Sequence, residues 1–335
     1  MNAVPVAINW HAGMSIFASE PFLATLGKEY GWIGGVDEHR PTRCILPYAV
    51  VRAGGFRLVR FPVETIVLGD RWSVDDERCF LQSATEHFCL MRYDVIIPAT
   101  FNAIFMTYPH GAVAAPYSSH VIDLQRSEPA LWGAIHPKHR NVIRSATKRG
   151  VTIRSGTEHM ETAYALTRAS FLRSSRSIVQ RARVMSRLRY AVFRRQVESF
   201  GQNVKVFVAE YEGVAQSAAV LPYSNYSAYY MHGGTLESPI TGASNLLQWE
   251  AIRSFRELGV SRYDFFGARI APPQGSKAEG LTMFKERFGG VPKRGYMWKY
   301  PLRPLRTRLY TAAALLRSGG DVVDQERRRL AHSGA

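Results

Sequence analysis

The chain has 335 residues, 46% of them hydrophobic, which is enough to build two domains with apolar cores. It has 43 Lys and Arg residues and 27 Asp and Glu residues, which give a formal net charge of +16. This charge favours anionic partners such as nucleic acid, nucleotide diphosphates or lipid headgroups. The alternative is an ordinary solvated basic surface. The three cysteines are too few for a disulfide framework and lack the spacing of a metal site. No apolar run is long enough to span a membrane. We therefore expect a cytoplasmic protein, compatible with peripheral contact with an anionic membrane at its inner face.

The first 130 residues predict a meander of antiparallel strands with tight turns. A short amphipathic helix at 17–27 precedes two strands joined by a polar turn at 37–41. A third strand follows Gly54-Gly55, and a helical pattern at 75–92 leads into an apolar strand at 93–97. That last pair, a helix followed by Tyr93-Asp94, recurs later as a helix followed by Tyr263-Asp264, which favours two copies of one supersecondary plan.

Two basic segments lie near the middle of the chain. The first is a predicted helix ending at Gly150, whose outward face carries Arg144 and Lys148. The second runs from Thr162 to Val197 without an acidic residue and includes Arg187, Arg189 and Arg194. A solvated helix usually mixes charge signs to gain i,i+4 pairs, so this segment predicts contact with an anionic partner, with a solvated basic face as the alternative.

The region after residue 226 predicts a strand, a glycine turn, a helix and another strand. The strand at 226–232 ends in Gly233-Gly234, where glycines allow another backbone or a ligand to come close. Ser244 or Asn245 is the predicted helix cap, with Gln248 as the returning half of a capping box and Gly259 at the helix end. The next strand is predicted at 260–266.

Two motifs in this region resemble the FemAB/FemX family of aminoacyltransferases, which are built on the GNAT acyltransferase fold. Tyr263-Asp264-Phe265-Phe266-Gly267 matches the family's YDFGG-like strand end, and residues 280–290 match its GL-x-x-FK-x-x-[FW]-G pattern. The 140–150 helix is similar to the family's basic helix between lobes. The resemblance implies an α/β fold of two GNAT-like lobes, each a mixed, mainly antiparallel sheet flanked by helices, at 1–130 and 131–300, followed by a basic helical tail at 301–335.

The resemblance also implies a chemistry. Such enzymes take an amino acid from aminoacyl-tRNA, as co-substrate and without a further cofactor, and join it to an amine of a peptidoglycan precursor; peptide antibiotics and other cell-surface intermediates are further acceptors. We expect the acceptor to be an anionic peptide or a nucleotide- or lipid-linked intermediate. Because the ester is already activated, the reaction needs positioning and oxyanion stabilisation rather than a nucleophilic Ser or Cys.

Two other classes remain open. An acyl-coenzyme A N-acyltransferase acting on a sugar or peptide amine would keep the fold, but the turn at 235–243 has a single glycine, a proline and an acidic residue where a pyrophosphate-binding turn has several glycines. A noncatalytic RNA- or membrane-binding protein would use only the basic segments. That class does not explain why the glycine, YDFFG and FK motifs occur together.

The resemblance places the first candidate catalytic residue at Lys285, where an ammonium would hold the terminal tRNA phosphate and ribose or the tetrahedral oxyanion. Phe284 would stack on the terminal adenine or pack in the core. Asp264 would orient the amine or act as its base, and His232 and Tyr230 are predicted to face the cleft for amine recognition or proton acceptance. Arg144, Lys148, Arg187, Arg189 and Arg194 are the candidate phosphate-binding residues. We predict no metal site.

Overall fold

The computed structural model describes residues 1–37, 41–69, 71–98, 102–175 and 177–333, apart from the side chains of Arg183, Arg187 and Ser333. The chain forms two compact units, unit 1 (residues 1–119, 267–282 and 292–335) and unit 2 (residues 120–266 and 283–291). These differ from the sequence-based boundaries at 130 and 300, because two segments that come late in the sequence pack with the N-terminal part. The predicted polar turn at 37–41 lies mostly outside the described residues.

The described chain contains runs of consecutive strands and runs of consecutive helices. In chain order, the first are β1 (Asn2–Val6), α1 (Glu20–Leu26), β2 (Glu29–Val36), β3 (Cys44–Ala53), β4 (Phe56–Phe61), β5 (Ile66–Val67), α2 (Val74–Leu90), β6 (Val95–Pro98), β7 (Val113–Asp123), α3 (Glu128–Ala134), α4 (Pro137–Lys148) and β8 (Thr152–Ser155). They continue with α5 (Met160–Arg173), α6 (Ile178–Arg187), α7 (Tyr190–Glu198), β9 (Val204–Tyr211), β10 (Val214–Pro222), β11 (Ala228–Tyr229), β12 (His232–Thr235), α8 (Ala243–Glu257), β13 (Arg262–Ala268), α9 (Lys277–Arg287), β14 (Val291–Lys299), α10 (Pro304–Ser318) and α11 (Val322–Ser333).

Unit 1 contains a sheet in the order β1-β2-β3-β4-β6, with β5 paired to β3. Neighbours are antiparallel except β4 and β6, which run parallel with Leu58 opposite Val95. Helix α2 begins with a capping box between Ser73 and Asp76 and buries its apolar face, as the sequence predicts. Residues 2–6, for which the sequence analysis predicts no strand, pair with β2 as an edge strand.

Unit 2 contains a sheet in the order β12-β10-β9-β8, all antiparallel. The predicted strand at 226–232 is in fact two short strands. Strand β11 pairs in parallel with β13, so that Tyr229 lies opposite Asp264, whereas β12 pairs with β10. The change occurs between adjacent residues: the Tyr230 amide donates to the Asp264 carbonyl (2.9 Å), and the Met231 amide donates to the Val220 carbonyl (3.2 Å). The chain therefore opens a wedge between β13 and β10.

The glycines predicted to allow close approach do so. A Cβ on Gly234 would overlap with the backbone of Leu166 and Thr167 in α5, and a Cβ on Gly233 would overlap with the Tyr230 ring. Gly259 ends α8 with a left-handed backbone (φ 73°), also as predicted.

The predicted cap of α8 was wrong. The helix begins two or three residues earlier than predicted, after Gly242, whose φ of 90° is left-handed, and no side chain caps it. Gln248 is buried and accepts a hydrogen bond from the Tyr263 hydroxyl (2.6 Å) instead of returning to the helix start. Gly242 itself is crowded by α4, because a Cβ there would overlap with the Val142 carbonyl.

The remaining differences concern helix breaks. The predicted helix before Gly150 is split into α3 and α4, with Pro137 at the first position of α4, where a proline is tolerated. The predicted helical tail consists of two helices, α10 and α11. The start of α11 is held to β14 by the Lys299 ammonium, which lies 2.9 Å from Asp321 and 2.6 Å from Asp324. No helix in the described ranges has the length and apolar content needed to cross a membrane.

Candidate functional site

The end of β13 carries an unusual backbone conformation. Phe266 has a φ of 62°, in the left-handed region that bulky residues rarely adopt. Two charged side chains hold its peptide groups: the Asp264 carboxylate accepts from the Phe266 amide (2.7 Å), and the Lys285 ammonium donates to the Phe266 carbonyl (2.9 Å). Two of the predicted catalytic residues therefore meet at one strained residue.

Lys285 lies near the end of α9 and is only 8% exposed. Burial lowers the pKa of its ammonium from the ordinary 10.5 to about 8, while the negative charge of Asp264 acts in the opposite direction. Its carbonyl accepts from the amides of Phe288 and Gly290, which fold the chain back after the helix. A lysine with a pKa near neutrality can serve as a cation or release a proton within the physiological range.

His120 is a site residue that the sequence reasoning missed. It is 2% exposed on β7, and its Nε2 lies 3.6 Å from Glu286 Oε1. Within the described residues, neither ring nitrogen has a hydrogen-bond partner. Burial and the neighbouring Lys285 charge lower its pKa, and Glu286 opposes this, so the imidazole is neutral at pH 7. The one signal in the sequence is the polar run Ser118-Ser119-His120 inside an otherwise apolar strand.

Phe284 and Phe288 form an aromatic group with His139. The His139 ring centroid lies 5.4 Å from that of Phe284 and 4.9 Å from that of Phe288. Burial lowers the His139 pKa to about 4, which keeps this ring neutral and able to pack. Phe288 is fully buried, whereas Phe284 is half-buried.

Tyr230 is joined to Asp264 through the backbone, but His232 is directed elsewhere. Burial raises the pKa of the Tyr230 phenol to about 12, and a hydrogen bond with Gln248 opposes this. His232 lies opposite Val220 on β10 and packs on Phe193 with ring centroids 5.0 Å apart. Burial lowers its pKa to about 4, so it is neutral at pH 7. The structure thus groups Lys285, Asp264 and Tyr230 around the end of β13.

The predicted phosphate-binding residues occupy helix surfaces. Arg144 and Lys148 are exposed on α4, with the Arg144 guanidinium 5.5 Å from the centroid of the Trp132 ring. Arg189 is exposed at the start of α7. Arg194 forms an ion pair with Glu198 (2.6 Å), just beyond the acid-free segment. The side chain of Arg187 lies outside the described residues.

A cavity of about 640 Å³ lies between α5, α7 and the start of β9. Its polar lining includes Glu158, Glu161 and Glu198, with Arg194 and Tyr190. Three carboxylates against one guanidinium disfavour phosphate. This cavity shares no residue with the group around Lys285. Elsewhere in the described part of the chain, no set of three His, Cys, Asp or Glu side chains is arranged to hold a metal ion.

This architecture defines an α/β protein of two GNAT-like lobes. Residues 137–275 match the acetyltransferase (GNAT) domain family. That match and the fold together support an acyltransferase.

Among solved structures, the chain is similar to FemX, with a TM-score of 0.68 at 14% identity over 92% of this chain and 99% of that one. The predicted resemblance to the FemAB/FemX family is therefore confirmed at the level of the fold. The chain is also similar to the C-terminal domain of a putative lysylphosphatidylglycerol synthetase from Agrobacterium fabrum (TM-score 0.51, 12% identity, 88% of this chain and 91% of that one) and to a conserved protein of unknown function from Bacteroides thetaiotaomicron (0.52, 13%, 87% and 92%). A search of curated protein sequences found no match.

Proposed function

We propose that this protein is an aminoacyl-tRNA-dependent aminoacyltransferase that forms a peptide bond with an amine of a peptidoglycan precursor or a related peptide. The observation that carries the proposal is the buried Lys285 ammonium, fixed on the Phe266 carbonyl at the end of β13. A cation held in this way needs no reorganisation when negative charge develops beside it. Phe284, the preceding residue, is half-buried, and its ring would stack on a terminal adenine.

In the proposed reaction the acceptor amine attacks the ester carbonyl carbon of the aminoacyl group. A C–N bond forms as the carbonyl electrons move to oxygen, and Lys285 stabilises that oxyanion. The oxyanion then collapses, the C–O bond to the ribose breaks, and the ribose oxygen leaves with a proton that the amine has lost. The transfer balances without an oxidant, a reductant or a metal.

Proton handling falls to the groups around Lys285. Asp264 orients the amine while it holds the Phe266 amide. The neutral imidazole of His120 is a proton acceptor beside the lysine, and it is better placed for this than His232, which packs on Phe193. Tyr230 lines the wedge that would admit the acceptor. Arg144, Lys148, Arg187 and Arg189 would contact phosphates of the tRNA or of the acceptor. Arg194, also predicted for this role, is paired with Glu198 in the carboxylate-lined cavity and is not assigned to phosphate.

The second candidate is an acyl-coenzyme A-dependent N-acyltransferase, which the match to the acetyltransferase domain family favours. The start of α8 argues against it. A pyrophosphate needs open amides at a helix N-terminus, but Gly242 is buried there and the Val142 carbonyl of α4 packs against it. An inward-facing carbonyl also repels an anion.

The experiment is a donor test on the purified protein. It is incubated with radiolabelled aminoacyl-tRNA, or separately with labelled acetyl-coenzyme A, each with a pool of cell-wall precursors. Transfer from the tRNA that RNase abolishes supports the proposal and identifies the amino acid. Transfer from the thioester alone refutes it in favour of the second candidate, and label attached to a phospholipid that carries no peptide refutes the peptide acceptor.

Matched variants test the role of the lysine. Lys285→Met is expected to abolish transfer. The control is Lys205→Met. Lys205, on β9 in unit 2, is another lysine whose pKa is lowered by burial, although it is only half-buried, and its ammonium donates to Ser254 Oγ at 2.8 Å. Equal activity of the two variants would contradict the assignment of Lys285.

A further inference from the structure

Helix α10 exposes a row of leucines. Leu305, Leu309 and Leu316 are 75%, 63% and 90% exposed, and with the exposed Ala312 they recur at i, i+4, i+7 and i+11. This spacing places all four on one face of an α-helix. Leu315, 49% exposed, lies beside them. We call these five residues the leucine stripe.

The opposite face fixes the helix on unit 1. Thr307 Oγ1 donates to the Asp94 carbonyl (2.8 Å), and the Arg306 guanidinium binds the Asp94 carboxylate. The Tyr310 ring packs on Phe56, with centroids 5.6 Å apart. Because these contacts fix the inner face of α10 on unit 1, the leucine stripe on the other face is exposed to solvent.

Only positive charge accompanies the stripe. Residues 301–320 contain four arginines and no acidic residue. Two of them flank stripe leucines: Arg308 precedes Leu309, and Arg317 follows Leu316, and both are exposed. An apolar face bordered by arginines is the pattern of helices that lie in a membrane interface, with the apolar side chains in the acyl boundary and the guanidinium groups at anionic headgroups.

We propose that α10 docks this protein on an anionic lipid surface, with the helix axis in the membrane plane and the leucine stripe immersed. Charge complementarity decides between this occupant and a second copy of the chain. Two copies packed stripe to stripe would bring two helices of the same positive charge together, because residues 301–320 contain four arginines and no acidic residue, and Arg308 lies on the side of the stripe. Anionic headgroups supply charge of the opposite sign. At 15 residues the helix is about 22 Å long, which suits lying in the interface.

The test is co-sedimentation of the full chain with lipid vesicles in 0.1 M salt. Vesicles of phosphatidylcholine with about a third phosphatidylglycerol are compared with vesicles of phosphatidylcholine alone. Wild type is expected to bind the anionic vesicles and not the neutral ones. The double variant Leu309→Gln/Leu316→Gln is expected to lose at least about tenfold in partitioning, since each leucine leaves the interface.

A matched control separates the stripe from the general positive charge of the protein. Leu90 is 84% exposed at the end of α2 in unit 1, and Leu90→Gln is expected to bind like wild type. If the double variant binds as well as wild type, or if Leu90→Gln loses as much, the stripe is not the docking element. Absence of wild-type binding, or equal binding to both kinds of vesicle, would also overturn the proposal.

Two further measurements test whether the stripe binds a second copy of the chain and whether it enters the membrane. Light scattering is expected to give a monomer; a wild-type dimer that the double variant dissociates would assign the stripe to a second copy instead. Leu309→Trp places a fluorophore on the stripe without removing apolar surface. A blue shift of its emission on addition of anionic vesicles supports immersion, and an unchanged spectrum contradicts it even if the double variant does not fold.

Discussion

Replacing Lys285 with methionine should change how the stability of the protein depends on pH. In the folded protein the Lys285 pKa is lowered from 10.5 to about 8 because the ammonium is buried. At roughly 1.36 kcal/mol per pKa unit, charging this group costs the folded state about 3 kcal/mol. Below pH 8 both folded and unfolded chains carry the proton, so the folded state bears the full cost.

The sign follows from the order of the two pKa values. Between pH 8 and 10.5 the folded state releases the proton while the unfolded chain still holds it, so the free energy of unfolding rises with pH in this window. Lys285→Met lacks this rise. Near pH 7 the variant also loses the hydrogen bond to the Phe266 carbonyl, worth about 1–3 kcal/mol, so the two effects nearly cancel and the variant stays folded.

The assay is urea unfolding of wild type and variant at pH 7, 8.5 and 10. The wild-type free energy of unfolding, relative to that of the variant, is expected to increase by about 2–3 kcal/mol across the series. If the difference in free energy of unfolding between wild type and variant stays constant with pH, the claim that burial lowers the Lys285 pKa is refuted. In parallel, the rate of wild-type transfer should fall as pH rises through about 8, because the oxyanion-binding ammonium loses its proton. A rate that continues to rise beyond pH 9, after correction for uncatalysed ester hydrolysis, would exclude the cationic role.

Three further predictions concern neighbouring features. Asp264→Asn removes the negative charge that raises the Lys285 pKa, so the loss of transfer activity at alkaline pH should begin at lower pH. The control is Asp94→Asn, which removes another buried carboxylate, paired with Arg306 in unit 1, and should leave this pH dependence unchanged. Gly234→Ala should destabilise the protein by about 1–3 kcal/mol in thermal or urea unfolding because its Cβ meets the α5 backbone, whereas Gly133→Ala, in open space within α3, should be neutral or stabilising, and equal effects would contradict the packing argument. Arg189→Glu should weaken aminoacyl-tRNA binding and make its salt dependence shallower by about one unit of log–log slope; an unchanged slope would remove Arg189 from the phosphate contacts.

The sequence predicted features that depend on neighbours close in the chain. The periodicity of α2 and α8, the end of α8 at Gly259 and the close approach at Gly233-Gly234 follow from local patterns and are confirmed. The two-lobed fold was implied by the resemblance of the YDFFG and FK motifs to the FemAB/FemX family, and by the recurrence of a helix followed by Tyr-Asp. The parallel pairs β4·β6 and β11·β13 agree with the predicted repetition of one plan.

What the sequence could not provide depends on tertiary contacts. Ser244, Asn245 and Gln248 satisfy a capping pattern, yet α4 crowds Gly242 and Tyr263 takes the Gln248 side chain, so the pattern is overridden. The left-handed Phe266 has no local signal, since its two partners include a lysine 19 residues later. His120 comes from β7, far from either motif, and only the fold brings it beside Lys285.

The change of partner between Tyr230 and Met231 has a mechanical consequence. Each of these neighbouring amides belongs to a different ladder, so neither ladder continues through the joint, and separating β13 from β10 breaks no shared row of hydrogen bonds. The Tyr230–Met231 peptide is therefore the covalent connection between two hydrogen-bond ladders that have separate registers at this point.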